Sequence, residues 1–230
     1  MTGCATKPYV PTLYDAETAS VGSIALADDA MPEKLGANEL ATSMGLGQAT
    51  GGLIGGLVVA AMEGAETLSR VGKLNEMMEP LGLDFETEFE TMLTTKLASS
   101  GYGDVQIVGG KRDKRGPLKA MPETTADAIL DVHMTSFGMQ KAQTGQEWRP
   151  AAGVDVRLVS VETDEVLMEN VISYNSGVTS AGAKEGIVTL YPAATSTGYM
   201  KIKEMDPAVV AEEIRAMLDD ISDTVVSMLQ

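Results

Sequence analysis

The chain has 230 residues, enough for one domain with a sizeable core, and its 33 Asp and Glu against 17 Lys and Arg leave a formal charge of -16. That balance excludes nucleic acid and anionic membrane surfaces as partners, because both need positive charge set against phosphates, and it favours basic partners. Aromatics are 4% of the residues, so Leu, Val, Ile, Ala and the 15 Met must fill the core, and a single Cys rules out an intramolecular disulfide.

That cysteine stands in Met1-Thr2-Gly3-Cys4-Ala5-Thr6, after small residues and ahead of a polar stretch with Pro8 and Pro11. The pattern resembles the cleavage site of a bacterial lipoprotein precursor. The resemblance implies that Cys4 is acylated on sulfur, the bond before it cut, and the new amino terminus acylated. Two or three chains are needed, since one acyl chain binds a membrane only marginally. It also implies that Met1 is a start codon placed after a removed signal peptide. With Ala5 where Asp would signal retention, it implies an outer-membrane anchor facing the periplasm. An ordinary N-terminal Cys of a cytosolic protein is the other reading. Residues 1–20 then form the lipoprotein N-terminus and a linker, and residues 21–230 a single domain lifted off the membrane.

A strand is expected from Val21 to Ala27. From Leu40 to Met62 no residue is charged, and Gly47, Gly51 and Gly55 recur every fourth position, with Gly52 and Gly56 spaced in the same way. On a helix these would form a groove for close backbone approach. Three placements fit: a helix buried on the sheet, a self-association surface, or a membrane span. The helix is expected to continue through Arg70 and stop near Pro80, so the Gly-rich helical segment covers 40–80. Phe85, Phe89, Met92, Leu93 and Leu97 at helical spacing after Asp84 predict a second helix closing at Gly101. Val105 to Val108 reads as a strand. Gly109 to Gly116 reads as a basic turn whose Lys111, Arg112, Lys114 and Arg115 are either solvated or a docking point for an acidic partner or lipid headgroups.

In the second half, Ala128, Leu130, Val132 and Met134 alternate with Asp131, His133 and Thr135, which predicts a half-buried strand. Val154, Val156 and Leu158, then Val166, Met168 and Ile172, predict two more strands joined by a tight turn at Glu162 to Glu165. Asp206-Pro207 opens a terminal helix with one apolar stripe from Val210 to Met228. The fold class is therefore α/β of the α+β kind: a mixed, largely antiparallel sheet on which the Gly-rich helix, a second helix and the C-terminal helix pack.

Ala126 to Leu130, Gly153 to Val161 and Thr163 to Leu167 resemble core strands of the curli secretion channel lipoprotein family. They resemble equally its relatives, the lipoprotein activators of penicillin-binding proteins and the amino-terminal domain of TolB. Asp164 stands where that group usually has Gly. The resemblance implies a periplasm-facing domain that binds or organises other envelope proteins, with no catalysis and no cofactor. A pore subunit is an alternative, although the 16 positions between Phe137 and Val154 are too few for a membrane-spanning hairpin. A soluble enzyme or carrier with an incidental Cys4 is another. Against an enzyme, the one histidine, His133, cannot build a histidine-rich metal site, and on the polar face of a strand it is expected to be exposed or at an edge. Trp148 either caps the core or marks a partner site. The partners expected are envelope proteins, the membrane through acylated Cys4, and a second copy of the chain.

Overall fold

The computed structural model describes residues 10–19, 21–28, 30–39, 65–112, 116–141, 147–175, 187–190 and 197–230. In chain order the elements are α1 (Ala16–Ala19), β1 (Ile24–Ala27), β2 (Gly36–Glu39), α2 (Ala65–Met78), α3 (Phe85–Leu97), β3 (Gln106–Val108), β4 (Lys111–Arg112) and β5 (Leu118–Ala120). They continue with β6 (Ala128–Lys141), β7 (Arg149–Ser160), β8 (Val166–Tyr174), β9 (Ile187–Leu190) and α4 (Pro207–Ser227). The strands form one mixed sheet in the order β3-β1-β6-β7-β8-β9, with β2 also paired to β6, and β4 and β5 make a separate two-stranded sheet.

The two antiparallel ladders, β6 with β7 and β7 with β8, are the long ones. The parallel pairings are short and lie at the sides. The expected meander is thus the centre of the sheet, and its turn works because Asp164 takes the left-handed conformation at φ +57°. Leu130, Val132, Met134, Val154, Val156, Leu158, Met168 and Ile172 line one face and are buried. Helices cover that face. Asp84 starts α3 by accepting from the Thr87 N–H, and Phe89, Leu93 and Leu97, each four apart, go inward. Asp206 starts α4 by accepting from the Ala208 N–H, with Pro207 following, and Val210, Ile214, Met217, Leu218, Ile221 and Val225 form its buried stripe. Arg215 grips Glu88 of α3 through Nε and Nη2, but both side chains are partly exposed, so the pair adds at most about 1 kcal/mol to what the apolar contact supplies.

β1 and β2 both run parallel to β6 along the same edge, opposite its first and second halves. Between them the chain leaves the ladder, and two side chains and one backbone hydrogen bond hold it. Glu86 of α3 accepts from the N–H groups of Ala30 and Met31. Asn75 of α2 bonds both the N–H and the carbonyl of Leu35. The Ala30 carbonyl accepts from Met134 N–H, next to the shift in register between β6 and β7 at Met134/Ser136. Ladder pairing resumes at Gly36 opposite Gly138, where the backbones are so close that a Cβ on Gly138 would lie 2.2 Å from the Gly36 carbonyl oxygen. Gly138 also has φ +147°.

The segment Leu40 to Met62 and its Gly47, Gly51, Gly52, Gly55 and Gly56 lie outside the described residues, as does Cys4. The later part of the expected helix is α2, ending at Met78 before a 3-10 turn through Pro80. Among the described residues no helix is long and apolar enough to cross a membrane. Replacing Gly138 by Ala meets both a steric and a conformational obstacle, so Gly138→Ala is expected to lower unfolding stability by about 2–4 kcal/mol, read by urea denaturation.

Candidate functional site

The sheet has a second face, and the alternation in β6 predicts it to be polar and wet. Instead it is covered. The β4–β5 hairpin folds across it and places Leu118 against Ala25, Ala27 and Ile129, where the two alanines of β1 leave room for it. Beneath the hairpin lies Asp131, fully buried in the middle of β6. Its carboxylate accepts from Arg112 Nη1, from Arg157 Nη2 at 2.9 Å and from the Leu118 N–H at 2.9 Å. Arg112 also donates through Nε and Nη2 to the Asp28 carbonyl, so one guanidinium joins the end of β1 to the centre of β6. Burial alone would raise the Asp131 carboxyl, but Arg112, the Leu118 N–H and Arg157 outweigh it and hold it below the usual carboxylate range.

One row further along the strands, His133 of β6 faces Asp155 of β7, with Nε2 and Oδ2 3.5 Å apart. This is too long for a hydrogen bond, and His133 Nε2 is buried without one. Burial, reinforced by Arg112 and Arg157 against the pull of Asp131, lowers His133 to about 4. Burial together with Glu169 and Asp131, against Arg157, raises Asp155 to about 6. Near neutral pH the imidazole is therefore neutral and Asp155 charged, and on acidification Asp155 takes up the first proton. A neutral imidazole beside a carboxylate can pass a proton, and here the imidazole is buried while Asp155 is about a fifth exposed.

A separate cavity of about 260 Å³ opens beside the β2–β6 pairing. Lys34, Asn38, Leu68, Val71, Ser136 and Gln140 are among its lining residues. Among the described residues, no group of three or more His, Cys, Asp and Glu is placed to hold a metal ion.

The structure corrects two expectations and decides a third that had been left open. His133 is not exposed or at an edge but 4% exposed on a central strand, because the hairpin covers the face that strand periodicity assigns to solvent. Arg112 is neither solvated nor free to dock a partner, since its side chain is buried on Asp131. Of the two placements open to Trp148, the structure has the one in the core: it is buried there, with the Lys141 ammonium 5.8 Å from its ring centre. Lys111 is exposed on β4, while Lys114 and Arg115 lie outside the described residues. Sequence reasoning passed over Arg157, Asp155 and Gln140. The first two had a signal, since Asp155-Val156-Arg157 puts an acid and a base on one face of an otherwise apolar strand.

No family model matches the chain, and no curated protein matches it. Solved structures resemble it loosely. A PelC dodecamer from Paraburkholderia phytofirmans is 12% identical, with 96% of this chain and 95% of that one aligned at a TM-score of 0.39. A single-substitution variant of that dodecamer gives 13% identity, 91% and 92% coverage and a TM-score of 0.33. A Xanthomonas campestris protein of the DUF330 family gives 11% identity, 95% and 90% coverage and a TM-score of 0.39. At such scores the functional argument rests on the chain's own residues.

Two measurements probe the buried array. Asp131→Ala would leave Arg112 and Arg157 buried without their shared acceptor, and a loss of about 3–5 kcal/mol in denaturant unfolding is expected. The His133–Asp155 pair is read from pH. For Asp155, whose folded pKa is raised, stability is present at low pH and lost as pH climbs from 3.8 through about 6. For His133, whose folded pKa is lowered, stability falls as pH drops from 6.5 towards about 4, because the unfolded chain takes the proton first. Between pH 7 and 4.5, Asp155→Asn should therefore lose about 2 kcal/mol relative to the unsubstituted chain and His133→Gln should gain about as much.

Proposed function

We propose that the chain is a lipid-anchored accessory protein of the bacterial envelope, held at the outer membrane through Cys4 and facing the periplasm. It works there without catalysis, as a binding and assembly module for other envelope proteins. The observation that carries this reading is the path of the N-terminal arm. Thr12 exchanges two backbone hydrogen bonds of 2.9 Å with Glu169 on β8, so the polypeptide that leads from the Cys4 motif is stitched to the sheet. A modification at Cys4 would thereby hold the folded domain itself.

The chemistry of the second face favours binding over catalysis. Asp131 spends its charge on three internal donors, and the neutral His133 faces a carboxylate under cover. The Gly47, Gly51 and Gly55 spacing, with Gly52 and Gly56, adds the proposal that copies of the chain associate through that segment.

In the native host the unsubstituted chain should incorporate labelled fatty acid and sediment with membranes, and Cys4→Ser should do neither while folding normally by circular dichroism. An unacylated polypeptide that still begins ahead of Cys4 in its host would overturn the anchor. Analytical ultracentrifugation in detergent decides self-association, and a lasting monomer removes it.

A further inference from the structure

β3 ends the sheet: it pairs with β1 on one side, and among the described residues nothing pairs with the other. Which of its backbone groups face outward follows from one hydrogen bond. The Val108 carbonyl accepts from the N–H of Asp28, just past β1, at 3.1 Å, so Val108 turns its N–H and carbonyl towards β1. Direction alternates along a strand, so Gln106 does the same, and Ile107 directs both its N–H and its carbonyl away from the sheet. The Ile107 side chain is itself 48% exposed. Sheet edges are normally guarded by Lys, Pro or a bulge, yet Val105 to Gly110 contains no charged residue and no proline.

We propose that this edge pairs with the same edge of a second copy of the chain, antiparallel, about a two-fold axis at Ile107. A residue that offers a donor and an acceptor together on its outer side is its own complement, since Ile107 and its counterpart can exchange both hydrogen bonds. In that register the two Ile107 side chains lie side by side on one face, with Cα atoms about 5.5 Å apart, and each shields the other from water. Val105 falls opposite Gly109 of the second copy, and Asp104 falls opposite Gly110, one position from Lys111. Asp104 and Lys111 are both exposed, and neither has an ion pair among the described residues. The two-fold therefore brings together two Asp104–Lys111 attractions at an otherwise uncharged edge, in a chain whose charge of -16 elsewhere keeps copies apart. That charge pattern selects a second copy over an unrelated strand. The contact needs neither Cys4 nor the Gly47 to Gly56 segment, so it goes beyond the envelope-accessory reading.

Sedimentation equilibrium of the full chain should show a reversible dimer. Ile107→Pro removes an outward N–H and no bond to β1, so the fold should persist by circular dichroism while the dimer weakens at least tenfold. Ile107→Lys puts a charge on the exposed edge and gives a second variant with the same expected loss. Asp104→Lys should weaken the dimer although it lowers the net charge, and adding Lys111→Asp should restore the affinity. Register is read from Ile107→Cys in a Cys4→Ser background. Mild oxidation should link that variant into dimers about tenfold faster than Val166→Cys, at an exposed position on β8. A chain that stays monomeric up to its solubility limit, a dimer that survives Ile107→Pro and Ile107→Lys, a charge exchange that restores nothing, or equal cross-linking of the two cysteine variants would each overturn the proposal. Failure of acylation at Cys4 would leave all of these outcomes as they stand.

Discussion

The carboxylate of Asp131 is the constraint around which the sheet is organised. A charge in the middle of a central strand is tolerable only if donors surround it, and the fold brings three: one from the β4–β5 hairpin's Arg112, one from the Leu118 backbone and one from Arg157 on β7. Meeting that requirement closes a hairpin over the sheet, ties the end of β1 to β6 through Arg112, and turns an open sheet into one buried on both faces. The depressed His133 and the raised Asp155 follow from the same closure. His133 is buried beside the array in the field of both guanidinium groups, and Asp155, about a fifth exposed, is raised by its partial burial and by Glu169 and Asp131. Because the ion pairs are buried, added salt should screen them far less than the exposed pairs between α3 and α4.

Much of the scaffold was legible because each element carries a local signature. Asp84 and Asp206 mark helix starts, the stripes from Phe89 to Leu97 and from Val210 to Val225 mark buried faces, and Val154 to Leu158 marks a strand. What was not legible is what covers what. Alternation in β6 reports that Asp131 and His133 share a face, and it cannot report that a hairpin near residue 112 lies across that face. Nor does Gly-Ala-Asn-Glu at 36–39 look like a strand. It becomes one because Gly138 lets the two backbones come together and because Asn75 and Glu86 steer the chain back to the edge it left. Gln140 looked like any polar residue near a strand end, since a missing partner is a property of the fold and has no sequence signal.

The two halves of β6 thus serve different ends. Ala128 to Met134 pairs with β1 beside the hairpin and has the Asp131 carboxylate matched by three internal donors, while His133 Nε2 has no partner. Ser136 to Lys141, beyond the shift in register, pairs with β2 and borders an open cavity with an unmatched amide. A single strand therefore combines a segment organised around a fully paired carboxylate with one that carries a buried, unpaired carboxamide. The register shift separates them, and the helices α2 and α3 hold the crossing chain in place through Asn75 and Glu86.

The bridge at Thr12 sets a geometric limit. Thr12 lies eight residue steps beyond Cys4, and at the full extension of a polypeptide those steps reach about 28 Å. A lipid on Cys4 would then act as a short leash fastened at the β8 edge. The domain could swivel about that edge but could not drift away, and its orientation towards the bilayer would be set by where Thr12 meets Glu169.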